Sequence, residues 1–220
     1  IQWTPGAGVE PVAHPRWWPL YHRTVEAGKR VILLGARDEE ELQAKLDTIP
    51  DMQVVTYVNS TAAVKALSTV CCTSANVIKI ANSLEADEIL MTPDKNLAQY
   101  AASQTNKKIH IWEGYCPTHD RLTAADAQKA KQSHPEALFI AHPECRPEVL
   151  ELADMVASTS GMIRYARESE KQAFIIGTET GLLYGLQKAN PEKQFYPASE
   201  KMVCPNMKKN RLEDVVKSLE

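Results

Sequence analysis

Residues 54–67, with the sequence VVTYVNSTAAVKAL, decide the fold class of this chain. β-Branched and aromatic side chains fill most of the first five positions, which predicts a buried strand over 54–58. The polar residues at 59–61 then offer side-chain oxygens that can cap a short helix over 62–67. A buried strand that leads directly into a helix is the repeating element of a parallel sheet in an α/β protein.

The same alternation of strand and helix extends in both directions from this stretch. Residues 38–47 predict a helix whose acidic start suits the positive end of the helix dipole. Apolar runs bounded by turn residues predict strands at 30–34, 69–72, 88–91 and 108–112, and helices at 17–27, 75–84 and 96–103. This alternation predicts a parallel sheet with helices on both faces.

The pattern is also repeated within the chain. A shift of 86 positions places Thr92 on Thr178, and the pair Thr73-Ser74 on the pair at 159–160. Cys116 meets Cys204 after a further slip of two residues. Residues 54–116 and 138–204 therefore predict two copies of one unit, each ending in a cysteine.

A second alignment, with a shift of 79 positions, places residues 29–35 on residues 108–114. The beginning of the chain is therefore expected to correspond to the back half of another unit, with Arg37 at the position of the cysteine. We predict a partial or divergent first unit over 1–47, a second α/β unit over 48–133, and a third unit with a carboxyl-terminal helix over 134–220.

Composition narrows the classes of partner. The chain of 220 residues carries a formal net charge of -3, which argues against a nucleic-acid or anionic-membrane surface and favours small, partly anionic metabolites. No apolar run approaches the roughly 20 residues of a membrane span, so we expect no membrane contact and a cytoplasmic location. The five cysteines fit no disulfide framework, and reduced thiols are free to bind metal.

The cysteines fall into two groups. Cys116 and Cys204 each follow a short apolar run and precede a proline, so they are either buried thiols or metal ligands. His119 forms a Cys-x-x-His spacing with Cys116 that is also compatible with zinc. Cys71, Cys72 and Cys145 are expected to pack in the core.

Polar residues cluster where strands are predicted to end, which is where ligands bind in open parallel sheets. They are Tyr57, Asn59, Thr73, Ser74, Thr92, His142, Glu144, Ser158, Thr159 and Thr178. The pairs Thr73-Ser74 and Ser158-Thr159 open predicted helices, and they can bind anions or merely cap those helices. His142 and Glu144 lie two apart on extended chain and can face one pocket, although a simple His-Pro-Glu turn is the alternative.

Seven short motifs follow one another from about residue 48 to the end of the chain. They are Tyr57-Val58-Asn59-Ser60, Cys72-Thr73-Ser74-Ala75-Asn76, Pro93-Asp94-Lys95-Asn96-Leu97, Gly114-Tyr115-Cys116, His142-Pro143-Glu144-Cys145, Ser158-Thr159-Ser160-Gly161 and Cys204-Pro205-Asn206-Met207. Together, and in this order, they resemble quinolinate synthase of the bacterial and archaeal type. The resemblance implies three similar αβα units with short parallel sheets around a pseudo-threefold axis, of which about two and a half are present here.

The resemblance also implies a function. The family condenses iminoaspartate with dihydroxyacetone phosphate to quinolinate in NAD biosynthesis, and an L-aspartate oxidase would supply the iminoaspartate. Cys116 and Cys204 are similar to the second and third ligands of a 4Fe-4S cluster. The remaining counterparts are the catalytic residues Tyr57, His142 and Glu144 and the substrate-binding residues Asn59, Thr73, Ser74, Ser158 and Thr159.

The chain departs from the family pattern at its beginning. No cysteine precedes Cys71, and Arg37 stands where the repeat places the first ligand. Arginine stays protonated and cannot coordinate iron. The alternative function is therefore a truncated relative without a cluster, acting as an anion-binding or regulatory α/β protein.

Overall fold

A computed structural model describes residues 38–49, 51–209 and 211–219. The predicted helix at 17–27, the predicted strand at 30–34 and Arg37 lie outside these residues. The structure describes two units, which correspond to the second and third units predicted from the sequence and are called the first and second units from here on. Each contains a four-stranded parallel sheet. Among the described helices, none is long and apolar enough to cross a membrane.

The first of these units alternates helix and strand from its start. Its elements are α1 (Asp38–Asp47), β1 (Gln53–Tyr57), α2 (Ala62–Ala66), β2 (Val70–Cys72), α3 (Val77–Ser83), β3 (Glu88–Thr92), α4 (Lys95–Ser103) and β4 (Lys108–Ile111). Each of these elements was predicted from the sequence to within two residues at either end. Thr61 caps α2 by accepting a hydrogen bond from the Val64 N–H, as its position predicts.

The second unit follows through a pair of short helices. The elements are α5 (Pro117–Asp120), α6 (Ala124–Ser133), β5 (Leu138–Ala141), α7 (Pro147–Leu150), β6 (Met155–Val156), α8 (Thr159–Glu168), β7 (Ala173–Gly177), α9 (Leu182–Ala189), β8 (Gln194–Pro197) and α10 (Leu212–Leu219). A capping box of Thr123 and Asp126 begins α6. The last helix, α10, buries none of its residues.

Both sheets have the same strand order, β2-β1-β3-β4 in the first and β6-β5-β7-β8 in the second. In each sheet the chain moves from its first strand to one edge and then crosses to the other side. The order therefore reverses between β1 and β3, and again between β5 and β7. Ligands of open parallel sheets bind beyond the carboxyl ends of the strands at such a reversal.

The two sheets also share their register, which confirms the internal repeat. Val55 of β1 lies opposite Met91 of β3, and Ile140 of β5 lies opposite Ile176 of β7. Each residue of the second pair follows its counterpart by 85 positions. Two sheets with identical pairing are what a duplicated supersecondary unit produces.

The shift of 86 expected from the sequence is wrong by one residue within the sheets. The ladder hydrogen bonds make Gly177, and not Thr178, the counterpart of Thr92. The Trp112 N–H donates to the Met91 carbonyl, and the Ala198 N–H donates to the carbonyl of Ile176, which lies 85 positions after Met91. An alignment by residue identity favours threonine on threonine, whereas register is set by the backbone ladder. The spacing grows towards the end of each unit, where Cys116 and Cys204 are 88 positions apart.

Helices cover both faces of the first sheet. Val55 packs towards α3 and α4 on one face. Its neighbour Val54 points to the opposite face, where it joins Leu90, Leu42 and Val64 under α1 and α2. The alternation follows from the two-residue period of a strand, and burial on both faces explains why the central strands are continuously apolar.

The second sheet is enclosed in the same way. Phe139 packs with Ala127 of α6 and Val149 of α7 on one face. Ile140 packs with Met162 of α8 on the other, together with α9. The predicted α/β class with repeated three-layer αβα units is thus confirmed, while the pseudo-threefold arrangement and the unit boundaries stay predictions.

The core cysteines were predicted with one error. Cys72 and Cys145 are buried, as expected, but Cys71 is exposed. Both Cys71 and Cys72 belong to β2, which is an edge strand of its sheet. Successive side chains of a strand point to opposite faces, and at this short edge only one face is covered.

Candidate active site

The loops of the two units meet beyond the carboxyl ends of their central strands. Tyr57 is the last residue of β1, and His142 follows β5 directly. The Tyr57 hydroxyl donates a hydrogen bond to Glu144 Oε2 at 3.3 Å, which joins the two units. The reversal points of both sheets therefore contribute to one buried cluster of polar side chains.

Glu144 is the centre of this cluster. Its Oε2 atom lies 3.2 Å from His142 Nδ1 and 3.5 Å from His119 Nδ1, in addition to its contact with Tyr57. All four residues are buried. A carboxyl group and two imidazoles in contact, shielded from water, form an arrangement that can hold and move protons.

The two imidazole rings are stacked, with centroids 4.4 Å apart. His142 Nε2 is hydrogen-bonded to Ser74 Oγ at 3.2 Å, and His119 Nε2 to Thr178 Oγ1 at 2.9 Å. The backbone N–H of Glu144 donates to His142 Nδ1 at 3.4 Å. The Glu144 N–H can only donate, so Nδ1 of His142 is an acceptor and the proton of that neutral ring lies on Nε2.

Cys116 lies at the edge of the same cluster. It is the N-cap of α5, and Pro117 occupies the first helical position, where a missing N–H costs little. Its Sγ is 3.2 Å from His119 Nδ1, one helical turn further on. The donor atoms of Cys116, His119 and Glu144 all lie within 4.8 Å of one another, so the three could hold a metal ion.

A buried carboxylate fixes the loop of each predicted ligand cysteine. Asp94 Oδ2 accepts a hydrogen bond from the Cys116 N–H at 2.7 Å, and Glu179 Oε1 accepts one from the Cys204 N–H at 3.3 Å. Asp94 and Glu179 each lie two residues beyond the third strand of their unit, 85 positions apart. In both units, therefore, the backbone N–H of the cysteine is held by a carboxylate two residues after the third strand.

The backbone of Glu144 is anchored from the first unit. The Asn96 side-chain amide donates to the Glu144 carbonyl and to Asp120 Oδ1, both at 3.1 Å. Asp120 in turn forms an ion pair of 2.9 Å with Arg146. Buried Asn96 thus links α4 to the loop after β5 and fixes the position of the central carboxyl group.

Burial sets the protonation state of the cluster. Loss of solvent, followed by repulsion from Asp94, raises the pKa of Glu144 to about 8. Burial and the neighbouring Glu144 also raise the pKa of Tyr57 well above its ordinary value. Both groups therefore carry their protons near neutral pH.

The imidazoles and the thiol follow the same physical rule. Burial lowers the pKa of His119 to about 4, and it lowers the pKa of His142 as well. Burial and the nearby Glu144 raise the pKa of Cys116 to about 11. The short distances between Glu144 Oε2 and the two histidines are accordingly contacts between neutral groups, not ion pairs.

A pocket of about 240 Å³ opens beside His142, between α3 and α8. Ser74, Ser158 and Ser160 supply hydroxyl groups to its lining, and Arg164 supplies the positive charge. The contact between Ser74 and His142 connects this pocket to the cluster. Hydroxyl groups with one cation suit a small anion.

The structure brings most of the predicted site residues together. Tyr57, His142 and Glu144 are in contact, and Ser74 and Ser158 line the adjoining pocket. Asn59 and Thr159 lie next to these groups in sequence and are exposed. The catalytic and binding roles of all these residues stay predictions.

Thr73 differs from the expectation that it offers free donors at a helix start. Both its N–H and its hydroxyl donate to Asn76 Oδ1, at 2.7 and 3.0 Å. The helix α3 begins only at Val77, after this turn. The Asn76 side-chain oxygen accepts both donors of Thr73, as asparagine side chains often do in turns. Ser158, by contrast, is the N-cap of α8 and accepts from the Gly161 N–H.

Sequence reasoning did not identify Asp94, Asn96 and Glu179 as parts of the site. A signal was present, because Asp94 and Glu179 follow central strands and would have matched under the correct offset of the repeat. Asn96 lies in the motif Pro93-Asp94-Lys95-Asn96-Leu97, but the sequence does not indicate that its side chain contacts the other unit. Its partner Glu144 is 48 residues away and belongs to the other unit.

Residues 32–220 match the protein family described as quinolinate synthetase A protein. The chain belongs to the quinolinate synthetase A protein family. Membership confirms the resemblance carried by the seven motifs, and it does not favour the alternative of an anion-binding or regulatory α/β protein. The matched range contains every residue of the group of buried polar side chains around Glu144.

Curated relatives agree with this assignment. The chain is similar to a quinolinate synthase of Methanosarcina barkeri, with 58% identity over 183 residues that cover 83% of this chain and 60% of the relative. It is also similar to one of Geotalea uraniireducens, with 49% identity over 206 residues, covering 89% and 68%. A third, from Thermodesulfovibrio yellowstonii, is 52% identical over 183 residues, covering 83% and 60%.

The chain is shorter than the relatives that it matches. The chain spans about 60% of the length of the Methanosarcina relative. The described residues include Cys116, which contacts His119, and Cys204, the other cysteine predicted as a cluster ligand. The position expected to match the first cysteine, Arg37, lies outside the described residues.

Proposed function

We propose that this chain is part of a quinolinate synthase that condenses iminoaspartate with dihydroxyacetone phosphate. The observation that supports this most is the buried contact of Glu144 with Tyr57 and two imidazoles at the junction of two units. The names of the relatives point to the same reaction. Quinolinate formation joins the two substrates, closes the ring through the imine nitrogen and releases phosphate and two molecules of water.

Glu144 and Tyr57 are proposed to transfer protons. Glu144 has a raised pKa and can donate a proton to a leaving hydroxyl group, then take one from carbon as its carboxylate. Tyr57 donates to Glu144 and stabilises that carboxylate while it exists. His142, neutral and held by Ser74, orients the substrate by hydrogen bonding.

We propose that the anionic groups of the substrates bind in the pocket beside His142. Ser74 and Ser158 line it, with Arg164 as the cation. Asn59, Thr73 and Thr159 are proposed as further binding residues on the resemblance, although the donors of Thr73 face Asn76. The substrate carboxylates would accept hydrogen bonds from these hydroxyl groups and pair with Arg164.

The cofactor is proposed to be a 4Fe-4S cluster, with Cys116 and Cys204 among its ligands. The fit is supported by chemistry, because thiolates are the usual ligands and both cysteines sit on loops fixed through their backbone N–H groups. When bound by three thiolates, such a cluster supplies an open iron that acts as a Lewis acid. A cytoplasmic location and an L-aspartate oxidase as the source of iminoaspartate complete the proposal.

The test is quinolinate formation by the protein purified and reconstituted without oxygen, followed by absorbance and chromatography. Glu144→Gln should keep the cluster spectrum and lose turnover by roughly 100-fold or more, as removal of a general acid does. Lys129→Gln changes a residue of α6 outside the site and should keep full turnover. Full turnover in a cluster-loaded Glu144→Gln protein would contradict the role of Glu144, and absence of turnover in the loaded wild type would contradict the function.

A further inference from the structure

The group Cys116, His119 and Glu144 has the geometry of a site for a single metal ion. Bond lengths of about 2.3 Å to sulfur and about 2.0 Å to nitrogen or oxygen place neighbouring donors of tetrahedral zinc ~3.3–3.6 Å apart. His119 Nδ1 lies 3.5 Å from Glu144 Oε2 and 3.2 Å from Cys116 Sγ. Cys116 Sγ and the Glu144 carboxyl group lie within 4.8 Å of each other, so the separation of this third pair sets how far the donors must move to surround one ion.

The local chain arranges these donors in advance. Cys116 and His119 are three residues apart across the first turn of α5, so their side chains lie on one face. Glu144 reaches them from the other unit, with its backbone held by Asn96. A fourth position is left for water, as in zinc sites that have three protein ligands.

Each donor also has a partner that orients it. His119 Nε2 is hydrogen-bonded to Thr178, which leaves the Nδ1 lone pair for a metal. The Cys116 N–H is bonded to Asp94, and Tyr57 donates to Glu144. Such outer partners of ligands are typical of metal sites and fix the tautomer of the histidine.

The donor set selects the kind of ion. A thiolate, an imidazole and a carboxylate suit Zn²⁺, Co²⁺ or Fe²⁺, whereas Mg²⁺ and Ca²⁺ prefer ligands that are all oxygen. On binding, Cys116 coordinates as thiolate and its proton passes to the buffer. Glu144 coordinates as carboxylate, so its proton leaves in the same way.

We infer that Cys116, His119 and Glu144 bind one divalent transition-metal ion of the Zn²⁺ class when Cys116 carries no iron-sulfur cluster. The site shares Cys116 with the proposed cluster site but does not need Cys204. Occupancy by Zn²⁺ would engage both Cys116 and Glu144. The ion would therefore compete with cluster assembly and block the proton transfers proposed for Glu144.

The test uses Co²⁺ as a spectroscopic substitute for Zn²⁺, on the chain purified without a cluster and stripped with a chelator. Titration should produce the sulfur-to-cobalt charge-transfer band and the intense visible bands of a tetrahedral site, at one ion per chain. Zn²⁺ should abolish both. Absence of these bands in the folded wild-type chain would overturn the inference.

Variants separate this site from the cluster site. Cys116→Ser should remove the charge-transfer band, and Thr178→Val should weaken Co²⁺ binding roughly 10- to 100-fold through His119. Cys204→Ser is the matched control and should bind Co²⁺ with wild-type affinity. Equal loss in the Cys204→Ser variant, or an unchanged band in Cys116→Ser, would show that the ion binds elsewhere.

The same variants distinguish a failure of this inference from a failure of the proposed function. Reconstituted turnover depends on Cys204, whereas Co²⁺ binding does not. Thermal unfolding followed by circular dichroism verifies that each variant is folded. If Thr178→Val unfolds, His119→Gln provides the second measurement, and retention of full Co²⁺ affinity in that variant would equally refute the site.

Discussion

Asp94 connects the stability of the first unit with the position of Cys116, and its replacement tests this connection. Its Oδ1 accepts from the Leu97 N–H at 2.8 Å as the N-cap of α4, and its Oδ2 accepts from the Cys116 N–H at 2.7 Å. Asp94→Ala removes both bonds. Asp94→Asn keeps one oxygen for the cap and turns an amide N–H₂ towards Cys116, whose N–H then has no acceptor.

The magnitudes follow from these two bonds. Loss of an N-cap costs about 1 kcal/mol, and loss of a hydrogen bond to a charged acceptor costs about 1.5–3 kcal/mol. We therefore expect Asp94→Ala to lower the free energy of unfolding by about 3 kcal/mol. For Asp94→Asn we expect about 1.5 kcal/mol, at the lower end because burial already disfavours the charge of Asp94 and raises its pKa.

The assay combines urea unfolding with alkylation of each cysteine, followed by mass spectrometry under native conditions. Cys116 should be alkylated faster in both Asp94 variants, because its loop loses an anchor. Thr123→Ala is the matched control, since Thr123 caps α6 in the same way without contacting a cysteine. Equal alkylation of Cys116 in Asp94→Asn and in wild type would refute the proposed anchoring.

Two further predictions concern the surroundings of the site. Gly114→Ala should lower the free energy of unfolding by about 1–3 kcal/mol, because the added Cβ would lie 2.3 Å from the Pro93 carbonyl oxygen. Gly185→Ala in α9 has open space around the added Cβ and should raise the free energy of unfolding by up to about 1 kcal/mol. Urea unfolding measures both variants, and a Gly114→Ala variant as stable as wild type would contradict this packing. Asn96→Ala should lower the free energy of unfolding by about 1–3 kcal/mol, since it leaves the buried Glu144 carbonyl without its donor, and a change below about 0.5 kcal/mol would place the anchor elsewhere.

The elements of the fold could be predicted because their signals are local. The strand over 54–58 and the helix over 38–47 follow from side-chain type and spacing, and the structure places them at Gln53–Tyr57 and Asp38–Asp47. The repeat could also be found, since two units with one topology keep similar sequences. Its exact offset could not, because backbone pairing and not residue identity determines which residues correspond.

The candidate site was predicted in its residues more than in its contacts. His142 and Glu144 do lie together, but not on the extended segment expected from their spacing. The Cys145 N–H donates to the His142 carbonyl at 2.9 Å, so residues 142–145 form the His-Pro-Glu turn that was the alternative. The approach of His119 to both could not be predicted, since α5 belongs to a different part of the chain and its orientation depends on packing between units. Protonation states were likewise out of reach, because the burial that raises the pKa of Glu144 is a property of the assembled site.

The repeat makes one more prediction that separates the two cysteines. Glu179 is the counterpart of Asp94, and it accepts from the Cys204 N–H and from the Gly181 N–H at 2.8 Å while pairing with Lys208 at 3.0 Å. Glu179→Gln should keep one backbone acceptor, weaken the pair with Lys208, and raise the alkylation rate of Cys204.

Because each carboxylate contacts only the cysteine of its own unit, Glu179→Gln should leave Cys116 unchanged and Asp94→Asn should leave Cys204 unchanged. This reciprocal result is expected only if the two units hold their cysteines independently. If either variant altered both rates equally, the loops would form one cooperative structure, and the similarity of the two anchors would then be a feature of their origin and not of their present energetics.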